Sequence, residues 1–71
     1  MMDRFGEKLA QLRKQRNLTL RELGKMLEVD HTYVSQLEKQ KAKPNAIMIL
    51  KIAEIFDVST DILMKDELDL D

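Results

Sequence analysis

Residues 31–43, HTYVSQLEKQKAK, gather hydroxyl, carboxamide and ammonium side chains within a few helical turns. Such groups hydrogen-bond to base edges and to phosphate oxygens. At about 100° per residue, with the bisector of Val34 and Leu37 taken as inward, Thr32, Gln36 and Lys39 fall on the outward face. Ser35 lies beside them, and His31 and Tyr33 occupy the flanks. No large aliphatic side chain on that face would obstruct insertion into a groove. A solvated helix face has the same composition, so the stripe needs support from the elements around it.

Other chemistry finds little material in the chain. His31 is the only histidine and cysteine is absent, so a metal site or a catalytic triad would have to be built almost entirely from carboxylates. No glycine-rich phosphate loop is present. The acids Asp66, Glu67, Asp69 and Asp71 sit on a terminal segment expected to be too mobile for catalytic geometry. The expectation is a non-enzyme without metal or cofactor.

The elements that would position the stripe are encoded just upstream. Thr19 can cap a helix, with Glu22 reaching back to the Thr19 amide, and Leu18 and Leu23 stand at the staple positions that fix the direction of the incoming chain. The pattern recurs with Asp30 as cap and Val29 and Val34 as staple. Two short helices therefore flank a three-residue turn at Glu28, Val29 and Asp30. Leu23, Leu27, Val34 and Leu37 form their apolar seam, and Gly24 is the small residue that permits close approach. An ordinary helical hairpin has no need of so short a turn, whereas a DNA-reading helix-turn-helix does.

The segments LAQLRKQRNLT, TLRELGKMLEVD, YVSQLEKQKAKP and LKIAEIFDVSTDIL agree in order and spacing with the lambda-repressor-like DNA-binding domain. The chain resembles this family, the Cro and phage-repressor type also called XRE, from about Phe5 to Met64. The resemblance implies an all-α, compact five-helix domain, with helices two and three as the helix-turn-helix and double-stranded DNA as partner. It also implies an Arg13–Glu38 pair linking the first helix to the end of the recognition helix. Members often have glycine where this chain has Asn17, Glu28 and Gln40; Asn17 can take left-handed backbone at modest cost, whereas Glu28 and Gln40 would either pay roughly 1 kcal/mol for it or change the local geometry. Leu20 stands where several members carry a glutamine that helps clamp a phosphate. Some members activate through acidic groups on helix two. Arg21 and Lys25 at the corresponding positions point instead to repression.

Composition is compatible with that reading. Seventy-one residues make one small domain, and the absence of cysteine favours a reducing cytoplasm. No apolar run approaches the roughly 20 residues of a membrane span, and MMDRFGEKL lacks the apolar segment of a signal peptide. A soluble, cytoplasmic protein is expected. The net charge of −1 divides unevenly. Through Lys43 there are ten basic and six acidic residues, and from Pro44 onward two basic and seven acidic. Such asymmetry predicts an electropositive end facing phosphates and an electronegative end facing away.

Along the chain the spacing predicts five helices and no strand. The first runs from about Asp3 to Arg16 with Phe5, Leu9 and Leu12 on one face. The fourth spans Ala46 to about Phe56 behind Asn45 as N-cap, with a break at Asp57 and Val58. Ser59 caps a last helix through about Met64. Residues 1–65 form the domain and residues 66–71 an acidic tail expected to fray.

Helix four holds more apolar residues than one face can bury, and surplus apolar surface marks a partner site. Ile47 and Met48, helped by Ile62, Met64, Leu68 or Leu70, are the expected homodimer contact. The alternative is that they cover the core edge, with methionine filling an irregular gap. The reading is a transcriptional regulator acting alone as a dimer on a pseudo-palindromic operator. Thr32, Ser35 and Gln36 would read bases, His31 and Tyr33 would flank them, and Thr19, Arg21, Lys39, Lys41 and Lys43 would grip phosphates. Two rivals stay open. One is an antitoxin of the same fold that binds a toxin through its apolar C-terminal surface. The other is a protein-interaction module that has lost DNA binding, for which Leu20 and the low net charge speak.

Overall fold

Apolar spacing and local caps divide the chain into five helices. The computed structural model describes residues 2–70, and contains α1 (Phe5–Gln15), α2 (Leu20–Leu27), α3 (His31–Glu38), α4 (Ala46–Phe56) and α5 (Thr60–Met64). No strand occurs among the described residues. The helices pack within 29 × 23 × 19 Å, α3 against both α1 and α2, and α4 against α2 and α5.

The N-termini of α3, α4 and α5 are capped by one device. Asp30, Asn45 and Ser59 each hold extended backbone, and each side-chain oxygen accepts a first-turn amide, from Thr32, Met48 and Ile62 respectively. Thr19 and Glu22 complete a full capping box at the start of α2, with bonds of 3.0 and 2.8 Å. The Thr19 amide and hydroxyl hold the Glu22 carboxyl below the usual carboxylate range.

Helix α1 departs from the expected bounds. It starts at Phe5 rather than Asp3, because Arg4 at its N-cap supplies no side-chain cap, and it ends at Gln15. Two distant residues cap it instead. The Gln40 carboxamide oxygen accepts the Gly6 amide, and the Asp66 carboxylate accepts the Arg4 amide at 2.9 Å. The Arg4 amide, and next the Asp3 amide, hold the Asp66 carboxyl below its ordinary range.

This corrects the expectation of a frayed tail. Arg4 also donates to the Asp66 carbonyl and to Asp69 Oδ1, both at 2.9 Å, and Leu70 packs against the core edge. The uncapped N-terminus of α1 gives the tail its binding site, and a sequence separation of 62 residues hid it. Asp71 lies outside the described residues.

Four helices stop the same way. Asn17, Glu28, Gln40 and Asp57 take left-handed backbone at φ of 55°, 61°, 60° and 54°. After each, the next amide reaches back to a carbonyl five residues earlier, as Val29 does to Gly24 at 2.9 Å and Lys41 to Gln36 at 2.8 Å. None of these stops is glycine. Both glycines instead lie inside helices, at points of contact. A Cβ on Gly24 would stand 2.8 Å from the Val29 carbonyl oxygen. On Gly6 it would stand 2.4 Å from that of Glu38 and 2.7 Å from that of Leu37.

The core is a single cluster. Phe5, Leu9 and Leu12 from α1 meet Leu23 and Leu27 from α2, Val34 and Leu37 from α3, Met48, Ile49, Ile52, Ala53 and Phe56 from α4, and Leu63 from α5. Lys8 is wholly buried beside it. Its Nζ donates to the carbonyls of Ile62 and Lys65 at 2.6 and 2.8 Å, which closes the C-terminal end of α5 onto α1.

These contacts set opposite expectations for two substitutions. Alanine normally favours a helix over glycine by about 1 kcal/mol, yet Gly6→Ala should lose roughly 1–3 kcal/mol because its Cβ collides with α3 backbone. Glu28→Gly should gain up to about 1 kcal/mol by relieving left-handed strain. Its 3.4 Å contact with Lys51 is exposed and offsets little. Denaturant melts check both, and a clear loss for Glu28→Gly would show that the turn does not depend on that strain.

Candidate nucleic-acid interface

The orientation of α3 is fixed before any of its polar groups act. Val34 and Leu37 are fully buried, which turns Thr32 and Gln36 to solvent and leaves His31, Tyr33 and Ser35 half-buried on the sides. Tyr33 packs partly against the core, so its ring is anchored while it flanks the exposed face. The Asp30 carboxylate accepts the Thr32 amide at 2.9 Å and fixes the first turn. Bonds from Thr32, and then the nearby charges of His31 and Arg21, hold Asp30 below its ordinary pKa.

Arg13 and Glu38 meet as a two-point fork. Arg13 Nε lies 2.7 Å from Glu38 Oε2 and Nη2 lies 3.1 Å from Oε1. The two side chains are only 14% and 11% exposed. Arg13 also donates to the Leu18 carbonyl at 2.9 Å, in the link that leads into α2. One guanidinium therefore joins α1 to the end of α3 and to the link that enters α2. The Glu38 bond, opposed in part by desolvation, raises the Arg13 pKa.

Cations surround the exposed face of α3. Lys39, Lys41 and Lys43 are exposed on the segment after it. Arg21 and Lys25 on α2 share a shallow notch with Val29, Asp30 and His31, which brings the first turns of α2 and α3 together. The Thr19 hydroxyl oxygen accepts the Glu22 amide at 3.0 Å at the exposed start of α2. The expected base-reading and phosphate-gripping residues thus lie on α3, its trailing segment and the start of α2. Leu20, in the position expected to hold a phosphate-clamping glutamine, is half-buried and packs against the core edge.

The charge expectation needs correction. Of the ten basic residues through Lys43, four are engaged inside the fold. Arg4 holds Glu7 and the tail, Lys8 the end of α5, and Arg13 Glu38. Arg16 donates to the Ile55 carbonyl at 3.1 Å and lies 5.4 Å from the Phe56 ring centre. The acidic tail docks on Arg4, so this part of the acidic half lies against the basic half rather than facing away from it. Arg21, Lys39, Lys41 and Lys43 stay exposed beside α3.

Met48 also leaves the expected interface. It is 8% exposed and belongs to the core. The Asn45 cap sets the register of α4, placing Met48 inward as the gap-filling residue and Ile47 outward, 68% exposed. Leu50, 52% exposed, was missed by the sequence reading, although it lies three residues beyond Ile47 on the same helix. Ile62 and Met64 are half-buried. Gly6 and Gln40 were also missed as joints between α1 and α3. Gln40 registered only as a non-glycine stop, and nothing local shows its partner 34 residues away.

Among the described residues no group of three or more His, Cys, Asp or Glu side chains is placed to hold a metal ion. No helix among them is long and apolar enough to cross a membrane.

A family model described as helix-turn-helix matches residues 9–63. The chain is 40% identical over 63 residues to the HTH-type transcriptional activator BcrR of Enterococcus faecalis, covering 89% of this chain and 31% of that protein. It is 32% identical over 64 residues to repressor protein C2 of Salmonella phage P22, covering 90% of this chain and 30% of that protein. It therefore spans about a third of the length of either relative. The crystal structure of the P22 c2 repressor in complex with a synthetic operator superposes with a TM-score of 0.82 at 30% identity, covering 89% of this chain and 96% of that one.

The Arg13–Glu38 fork yields a direct expectation. A double-mutant cycle to alanine should show a coupling of about 1–3 kcal/mol, since each single change strands a partly buried charge. Additive losses, within about 0.5 kcal/mol, would make the fork incidental to the orientation of α3.

Proposed function

This chain belongs to the helix-turn-helix family, and on that premise we propose that it is a sequence-specific DNA-binding transcriptional regulator that inserts α3 into the major groove. The observation that carries the proposal is the register of α3. Burial of Val34 and Leu37, the close approach at Gly24 and the Arg13 fork together present a rigid polar face flanked by exposed cations. Thr32, Ser35 and Gln36 read base edges, with His31 and Tyr33 at the margins. Thr19, Arg21, Lys39, Lys41 and Lys43 contact phosphates and set the register on the duplex. The operator-bound P22 c2 repressor, which shares this fold, supports the assignment.

The regulator acts as a homodimer on a pseudo-palindromic site, pairing through exposed apolar side chains of α4 with help from Ile62 and Met64. Ile47 supports this contact and Leu50 extends it, while Met48 has no part in it. Arg21 and Lys25 are exposed where an activating surface would carry acids, which favours repression. Its place of action is the cytoplasm.

Selection of bound sites from a random duplex pool tests binding and reports half-site spacing. On the selected duplex, Gln36→Ala should cost about 1–3 kcal/mol and relax preference at one base pair per half-site, since a carboxamide pairs with adenine N6 and N7. Lys39→Ala should weaken all sequences alike and reduce the salt slope by about 1 per half-site. If neither change alters binding, α3 is not the reading element.

Light scattering at micromolar concentration should show a mass near twice the 8.3 kDa of the chain. Replacing Ile47 and Leu50 together with polar residues should return it to one. A monomer at every concentration, both free and on DNA, would remove the homodimer.

A further inference from the structure

Gln40 holds left-handed backbone at φ 60°, where glycine would be unstrained. Its side chain is surface-exposed, yet both ends of its carboxamide are occupied. Oε1 accepts the Gly6 amide in the first turn of α1, and Nε2 donates to the Met2 carbonyl at 3.2 Å. Glycine at this position would allow the turn but make neither bond. Gln40 therefore joins the end of α3 to the start of α1, on a different side from the Arg13 fork.

The attachment falls within the basic segment. Lys39 precedes it, and Lys41 and Lys43 follow on a stretch whose last backbone anchors to α3 are Lys41 and Ala42 on the Gln36 carbonyl. Long cationic side chains on a loose segment lose more freedom on binding than those on a fixed one. We propose that Gln40 is a positioning residue for phosphate contact, its carboxamide tying the segment 39–43 to the N-terminus of α1 so that Lys41 and Lys43 are presented in a fixed arrangement. The role rests on the DNA-binding reading above and adds to it a residue that need not touch DNA.

The test uses the full chain and a duplex selected by the wild type. Gln40→Gly relieves the left-handed backbone but removes a cap of α1, and since the two effects are of similar size its denaturation midpoint should stay near that of the wild type, while exchange of the Gly6 amide quickens. Its affinity should fall about tenfold, with a salt slope shallower by about 1 per half-site, the signature of one lost phosphate contact in each. Gln40→Asn suits the same backbone but is one methylene shorter, and should show the same loss. In a Lys41→Ala, Lys43→Ala background the effect of Gln40→Gly should largely disappear, because the contacts it organises are already gone.

Unchanged affinity and slope in Gln40→Gly would overturn the role, as would full rescue by Gln40→Asn. A loss that persists undiminished without the two lysines would show that Gln40 acts on DNA itself, again overturning it. Failure of the wild type to bind any duplex would instead overturn the DNA-binding reading, and this role with it.

Discussion

An α-helix leaves four amides and four carbonyls unpaired at its ends, so in a helix of eight residues such as α2 or α3 half of each kind is orphaned. A chain built from five short helices is governed by where those groups go. Side-chain caps from Thr19, Asp30, Asn45 and Ser59 close four N-termini, and left-handed stops at Asn17, Glu28, Gln40 and Asp57 close four C-termini. The two ends left over are completed by tertiary contacts. The start of α1 takes acceptors from Gln40 and Asp66, and the end of α5 takes a donor from Lys8. Those remote caps bring the first helix, the segment after α3 and the C-terminal tail into one network.

Helix α1 acts as the scaffold of that network. Its apolar face supplies Phe5, Leu9 and Leu12 to the core, while Lys8, Arg13 and the adjoining Arg16 reach carbonyls of other segments. Cations that a charge count assigns to a DNA-facing surface are thus used to close helix ends. A buried or forked cation is committed by the bonds it makes, whereas an exposed lysine remains available to a phosphate. The distinction leaves Arg21 and the lysines around α3 as the groups suited to contact a duplex, and it makes a net charge of −1 compatible with binding.

Glycine usage follows the same physics. Left-handed backbone is tolerable for Asn, Asp, Glu and Gln at a modest energy, but a Cβ driven within 3 Å of a carbonyl oxygen has no remedy short of moving a helix. The two glycines are therefore spent where α1 crosses α3 and where α2 approaches the turn. Both crossings bear on α3, the helix whose exposed face carries the proposed function.

Much of this was legible in local spacing. The capping box of α2, the Asp30 cap of α3, the three-residue turn and the period of Leu23, Leu27, Val34 and Leu37 determined α2, α3 and the direction of the α3 face, because each depends on residues within one or two turns. The bounds of α4 were readable for the same reason, whereas the left-handed stops at Asn17, Glu28 and Gln40 and the Arg13–Glu38 pair followed from family resemblance rather than from local pattern. Tertiary structure alone decided matters that depend on residues far apart in sequence. It buried Met48 and exposed Leu50, docked a tail expected to fray, tied four cations to partners within the fold, and gave Gln40 and Gly6 their shared contact. A helix face can be read from its own period, but the partner of a side chain 34 or 62 residues away is fixed only when packing brings the two elements together.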